Sequence, residues 1–559
     1  MKSVIRLHAT VVALLAFTGL AVAADVPGKA AIASAHPLAT AAGYEVLEAG
    51  GNAFDAAVAV SAALGVVEPY SSGLGGGAFW LLHVADEDRE IFVDAREVAP
   101  SAATRNMYLD ADGELVRGAS LNGPLAAGIP GQAAGLVHLV DNYGRLPLSS
   151  LIAPAIKLAE EGFPVHRRML LGLSFRRKTT DRWPALGAAY YPDGEPPAAG
   201  EIFRQPDLAR TLRRFAAGGR QDFYAGETAE RLVAGSRADG GIWTLDDFRA
   251  YRVIEREPLS FEYRGTRIVS APPPSSGGIA IANMLNILDG YDLATLDGAT
   301  RKHLIVESMR RAYRDRAAYL GDSDFVPVPV ERLTDPNYAA GQRISIRMDR
   351  ATPSDALASI VPPAPVGADT THFSVIDADG NRVAGTMTIN TWYGSGYMVP
   401  GTGVILNNEM DDFAVKLLAA NNYDLIGNDA NAIAPGKRPL SSMSPTFLES
   451  ERGVAILGTP GGSRIISMVL LASLEWMNGA SADEMTGLKR YHHQFMPDVI
   501  SFESGALAAT ELSRLEELGH RTAEVRRPFG NMNVVTWDFA SGDVEAATDP
   551  RATIEGRVY

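Results

Sequence analysis

Cysteine is absent from all 559 residues. That excludes disulfides, thiolate catalysis and zinc–thiolate centres. Positive charge is also in short supply: the formal net charge is −15, which argues against nucleic acid and other polyanions as partners. Beyond the N-terminus no uncharged apolar run reaches the length of a membrane span. Several catalytic signatures are missing as well: there is no G-x-S-x-G elbow, no H-E-x-x-H, no Walker loop and no G-x-G-x-x-G between a strand and a helix. The glycines Gly73-Leu74-Gly75-Gly76-Gly77 lie between a predicted helix and a predicted strand. A phosphate cradle needs the opposite order, so they read as close backbone packing.

The first residues carry an address. Lys2 and Arg6 precede an uncharged stretch, Ala9 to Ala23, that ends in Ala21-Val22-Ala23. This three-part pattern reads as a secretory leader over residues 1–23 and places the remainder in a bacterial periplasm or outside the cell.

Gly50-Gly51 predicts the end of one helix and Asn52 the cap of the next. Residues 78–82 and 90–96 predict a hairpin across Asp86-Glu87-Asp88, and residues 150–255 are mostly helical in pattern. Pro272 to Gly278 predicts a rigid loop opening a helix, and residues 345–368 a flexible linker. Short strands are expected at 371–377, 382–389, 403–407, 454–458 and 533–538, with a helix near 463–478. Helices mixed with short antiparallel strands indicate an α+β chain with helices layered over stacked sheets.

Within that frame one stretch stands out, Asp369-Thr370-Thr371-His372-Phe373-Ser374-Val375-Ile376. Taken alone it is an ordinary strand followed by a turn. A chain break before Thr370 would instead give that threonine a free α-amine beside its own hydroxyl, which is one route to an activated nucleophile. On the next strand, period-2 spacing puts Thr386, Thr388 and Asn390 on one face. Asn407 to Phe413 gathers Glu409, Asp411 and Asp412, a set suited to metal binding or to an ammonium group, and by spacing alone a solvated acidic loop. Pro460-Gly461-Gly462-Ser463 feeds a helix N-terminus, where glycine N–H groups would suit an oxyanion. His492-His493 are adjacent and so do not share a face; they read as packing and hydrogen-bonding residues.

In order along the chain, Gly50 to Ala57, Leu74 to Gly77, Asp94 to Pro100, Pro272 to Gly278, Thr370-Thr371-His372, Asn407 to Phe413, Arg438 to Pro445, Pro460 to Arg464, His492 to Gln494 and Asp549 to Arg551 resemble the γ-glutamyltransferase (glutathione hydrolase) family of N-terminal nucleophile hydrolases. The resemblance implies a four-layer αββα sandwich and a precursor that cuts itself at Asp369–Thr370. The products would be a large subunit of 24–369 and a small catalytic subunit of 370–559 that stay together. It implies Thr370 as nucleophile, with its α-amine as base and Thr388 as the hydroxyl bonded to it. Arg96, helped by Ser441 and Ser442, would grip the substrate α-carboxylate, and Asn390, Glu409 and Asp412 its α-ammonium. Gly461 and Gly462 would form the oxyanion hole. No cofactor or metal is implied. Donors are glutathione and related γ-glutamyl compounds; acceptors are water, amino acids or peptides. Tyr423, in the loop 414–430, stands where a lid aromatic would be. The alternatives are a glutaryl (cephalosporin) acylase on the same scaffold and, in a different class, a non-catalytic periplasmic amino-acid-binding protein.

Overall fold

Asn52 and Asp55 set the first long helix. The Asn52 side chain accepts from the N–H groups of Phe54 and Asp55 at 3.0 Å, and Asp55 accepts in return from the Asn52 N–H at 3.0 Å. This reciprocal cap satisfies donors the helix cannot satisfy itself. The helix it opens, Ala53–Val67, is almost wholly buried. Its alanines let neighbouring helices and a sheet close around it. Before it, Gly50 takes a φ of +95°, and the Gly51 N–H returns to the Val46 carbonyl at 3.0 Å. The helix Pro37–Glu48 therefore stops where the double glycine predicts.

The structure is a computed structural model that describes residues 26–357, 370–416, 421–425 and 427–551. The expected leader, the end of the expected linker and part of the expected lid lie outside the described residues.

Two six-stranded sheets form the middle. The first runs Ala31–Ser34, Thr371–Ile376, Arg382–Thr388, Gly77–Val84, Arg89–Ala95, Ile254–Arg256. The second runs Val544–Thr548, Asn533–Asp538, Gly453–Gly458, Thr446–Ser450, Thr266–Ser270, Leu259–Tyr263. All pairings in both are antiparallel. Alternation along each strand splits the side chains between two cores. Trp80, Leu82 and Val93 join the helical layer of Ala53–Val67. Phe79, Leu81 and Phe92 face the second sheet and meet Ile268, Phe447 and Ile456. The helices Gly277–Leu288, Gly298–Tyr319 and Arg464–Met477 cover the far side. This is the four-layer αββα sandwich. Segments before 358 and after 369 both supply strands to both sheets, so neither part has a core of its own.

The expected hairpin is present, with Trp80 opposite Val93. The expected strand at 403–407 is not. Gly401 and Gly403 turn the chain at φ +71° and +69°, leaving a single bridge, Met398 to Ile405. Residues 345–357 are not a loose linker: Thr352 N–H donates to Glu307 and Ser354 N–H to Asp498. The glycines of 73–77 do serve close packing. A Cβ on Gly75 would sit 2.0 Å from the Ile405 carbonyl oxygen, and one on Gly76 2.1 Å from that of Thr388.

Candidate active site

Thr370 directly precedes the strand Thr371–Ile376. Pairing of Thr371 with Met387 brings it opposite Thr388. The two hydroxyls are 3.3 Å apart, and both residues are buried. Thr388 Oγ1 also accepts from the Asn390 N–H at 2.7 Å. One register step along, His372 bonds through its two ring nitrogens to Thr386 Oγ1 (2.8 Å) and Ser374 Oγ (3.2 Å). Burial pushes its pKa down to about 3, so the imidazole is neutral and occupied. Thr371 donates to Glu68 at 2.7 Å.

Arg96 leaves the end of the strand Arg89–Ala95. Its backbone is fixed from both sides: its N–H donates to Asp94, and its carbonyl accepts from the Tyr251 hydroxyl at 2.8 Å. Asp94 in turn sits between Arg256 and Arg438, at 2.8 and 3.2 Å. The fully buried Arg96 guanidinium pairs with Asp412 at 2.6 Å and Glu409 at 2.8 Å, and lies 3.7 Å from Glu97. Its Nε donates to the Pro439 carbonyl at 3.3 Å. The acidic run is thus not a solvated loop. It is a short 3₁₀ turn, Glu409–Asp412, whose Glu409 and Asp411 are buried. Burial pushes Glu97 up to about 8 and Glu409 well above the ordinary carboxylate range, against the pull of Arg96. Glu409 Oε2 is engaged by the Arg96 guanidinium, while Oε1 has no hydrogen-bond partner among the described residues that meets normal geometry.

Ser441 and Ser442 are positioned by the loop that precedes the helix Gly277–Leu288. Ser441 N–H donates to the Pro274 carbonyl at 2.8 Å, and the Ser441 carbonyl accepts from Ser276 N–H and Oγ. Ser442 Oγ accepts from Arg316 at 3.3 Å, and Arg316 Nε donates to Ser276 Oγ at 2.9 Å. Burial pushes Arg316 down to about 10, with the field of Asp412 opposing. Sequence reasoning missed Arg316. The signal was its place on the apolar stripe Met309, Tyr313, Arg316, Leu320, where a charge is out of pattern.

Gly461 and Gly462 take φ of +141° and +58°, a region that favours glycine. Their carbonyls accept from Arg464 and Ile465 at the start of the helix Arg464–Met477. Neither glycine N–H meets a protein acceptor among the described residues.

These groups meet in one cavity. Thr370, Thr388, Asn390, Arg96, Glu409, Asp412, Ser441, Ser442 and Gly462 line it, together with Arg316, Tyr423, Leu425, Met443 and Ile465. Of the ten residues singled out in the sequence only Gly461 lies outside; it lines the adjoining groove. The free space is about 20 Å³, room for about one water. Tyr423 closes one side, its hydroxyl donating to the Asn390 carbonyl at 2.6 Å and contacting the Asn390 side chain. His492 and His493 sit elsewhere, bonded to Ser467 and Asp498.

His303, Glu307 and His520 converge at a distance that would suit a metal. However, Arg310 and Arg311 lie 3.3 and 2.6 Å from Glu307, and His303 is bonded to His520 at 2.8 Å. Two guanidiniums beside the sole carboxylate oppose a cation there.

Residues 39–558 match the family model described as Gamma-glutamyltranspeptidase. The chain belongs to this family. A glutathione hydrolase proenzyme of Pseudomonas sp. (strain A14) is 45% identical over 498 residues, covering 88% of this chain and 86% of the relative. That of Escherichia coli (strain K12) is 39% identical over 526 residues, with 93% and 90% covered. The crystal structure of a cephalosporin acylase from Bacillus halodurans superposes with a TM-score of 0.81 at 28% identity, covering 95% of both chains. Among the described residues no helix is long and apolar enough to cross a membrane.

Proposed function

We propose that this chain is a self-processing γ-glutamyl hydrolase and transferase acting on glutathione and related amides. The observation that carries the reading is the Thr370–Thr388 pair opening onto the cavity of Arg96, Glu409, Asp412, Ser442 and Gly462. In the precursor, Thr370 Oγ attacks the Asp369 carbonyl carbon, and water hydrolyses the resulting ester. Residues 24–369 and 370–559 then remain joined through the shared sheets, and Thr370 gains a free α-amine.

In turnover that amine takes the proton as Thr370 Oγ attacks the γ-carbonyl. The oxyanion is met by the glycine N–H groups of 461–462. The departing amine takes the proton back, and a glutamyl ester of Thr370 remains. Water or an amino acid then repeats the steps in reverse order. Arg96 and the serines take the α-carboxylate, while Asn390, Glu409 and Asp412 take the ammonium. Anchoring the remote end in this way holds the scissile carbonyl at the nucleophile. Entry of a glutamyl chain requires the Tyr423–Asn390 contact to open and Arg96 to exchange a carboxylate of the protein for that of the substrate. The leader pattern at 1–23 supports a periplasmic or secreted location.

Hydrolysis of glutaryl amides, as by a cephalosporin acylase, is the competing reading, supported by the fold match to such an enzyme. A glutaryl group has no ammonium for Glu409 and Asp412. Paired γ-glutamyl and glutaryl anilides test the choice. Loss of one charge-assisted contact is worth about 1.5–3 kcal/mol, so we expect γ-glutamyl to lead by ~10–100-fold in kcat/KM. A glutaryl lead would reverse the assignment.

A further inference from the structure

The strand Arg382–Thr388 runs into a turn with unusual backbone. Asn390 and Tyr393 take φ of +75° and +53°, a region that residues with a Cβ rarely adopt. Gly394 and Gly396 follow at +51° and +67°. Asn390 matters to the site twice: its N–H holds Thr388, and its side chain lines the catalytic cavity. Its Nδ2 is tied back to the Asn408 carbonyl at 2.9 Å. Oδ1 is therefore the edge offered to a donor, and here it contacts the Tyr423 hydroxyl.

One arginine ties this turn down. Arg176, in the helix Arg167–Thr180, is buried. Its Nε donates to the Trp392 carbonyl at 2.6 Å and Nη1 to Asn122 Oδ1 at 2.9 Å, while Nη2 donates to Thr391 Oγ1 and the Gly394 carbonyl. All four acceptors are neutral, and among the described residues no carboxylate oxygen lies within 4.0 Å of Arg176. Burial pushes its pKa down to about 10, with the field of Tyr423 opposing, so it stays charged at neutral pH. A buried cation without a counter-ion is costly. What it supplies in return is a planar fork that grips residues 391, 392 and 394 at once. The helix comes close enough because Gly172 stands one turn earlier, where a Cβ would sit 2.5 Å from the Trp392 ring. From Thr391 the linkage runs on to Asn390. Asn408 donates to Thr391 Oγ1 at 2.8 Å and accepts from the Thr391 N–H at 3.2 Å, and its carbonyl holds the Asn390 amide. We propose that Arg176 is a positioning residue for donor selection. Through Thr391 and Asn408 it aims the Asn390 amide oxygen, and so favours donors that carry an α-ammonium. The inference rests on the γ-glutamyl reading above.

The test compares γ-glutamyl and glutaryl anilides on processed protein, because only the first carries an ammonium for Asn390. In Arg176→Met the γ-glutamyl-to-glutaryl ratio of kcat/KM should fall about tenfold, the scale of one charge-assisted contact, chiefly through KM for the γ-glutamyl donor. Arg176→Lys keeps the charge but not the fork, and its ratio should lie between those of wild type and Arg176→Met. Asn390→Ala should lower the ratio by a similar factor, and adding Arg176→Met to it should lower the ratio no further, since both changes act on one contact. Should the methionine variant give no processed protein, the lysine variant carries the same comparisons. A wild-type ratio in the Arg176 variants, or an equal loss with and without Asn390, would overturn the positioning role alone. Wild-type protein without a preference for the γ-glutamyl anilide would instead remove the γ-glutamyl reading beneath it.

Discussion

The hydroxyls of Thr370 and Thr388 face each other at 3.3 Å across an antiparallel pair, and the Asn390 N–H holds the second of them at 2.7 Å. On the proposed reading Thr388 orients the reacting oxygen of Thr370 without reacting itself. Thr388→Ala removes one hydrogen bond, about 1–2 kcal/mol, and should slow turnover of a γ-glutamyl anilide ~5–30-fold. Thr388→Ser should recover most of the rate. An alanine variant as fast as wild type would deny Thr388 this role.

Arg96 is the common partner of Glu409 and Asp412. Replacing it with methionine leaves buried carboxyls without their cation and should cost about 3 kcal/mol of stability, with protonation of the glutamates limiting the loss. Urea denaturation of Arg96→Met measures this. Arg96→Lys should fold but bind the donor weakly, because a lysine cannot reach two carboxylates in the fork geometry of a guanidinium. A lysine variant with wild-type KM would contradict the assignment.

Arg316 separates binding from stability. Among the described residues it has no carboxylate within 4.0 Å, yet it is buried and bonded to Ser442. A buried cation without a counter-ion is costly. Arg316→Met should therefore leave the thermal midpoint level or raised while KM for the donor climbs about tenfold, the loss of one charge-supported contact. A lowered midpoint with KM unchanged would make Arg316 purely structural.

The pH dependence of stability follows from buried histidines. Burial lowers His36, His372, His492 and His520 to about 3 and His493 to about 4. The unfolded chain takes up these protons near the ordinary histidine value of about 6.5. Between that value and about 3–4 it therefore binds more protons than the folded chain, so stability rises with pH there. The contribution is fully present above about 6.5 and is lost as acid is added through this window. Thermal scans from pH 7 to 4 should show a falling midpoint; a flat profile would mean that these imidazoles are charged or solvated in the fold.

The sequence was most legible where local chemistry decides structure. The Asn52 cap, the double-glycine stop, the 78–95 hairpin and the Thr370 strand could all be read from neighbouring residues. The ordered blocks, with the period-2 strand that carries Thr388 and Asn390, supplied nine of the residues that line the cavity. What stayed hidden depends on distant partners. Glu409 looks like a surface acid until Arg96, brought from far along the chain, buries it. Arg316 could be found only by asking why a charge interrupts an apolar helical stripe. The strand expected at 403–407 failed because two glycines with positive φ curl a segment of strand-like composition.

The central claim is that Thr370 is both the point of cleavage and the catalyst. Sequencing the N-terminus of the smaller fragment of the purified protein tests it most directly. The account predicts a fragment beginning Thr-Thr-His-Phe-Ser, absent from a Thr370→Ala preparation that stays whole and inactive. A fragment beginning at another residue, or an uncut wild-type chain that turns over γ-glutamyl donors, would contradict it.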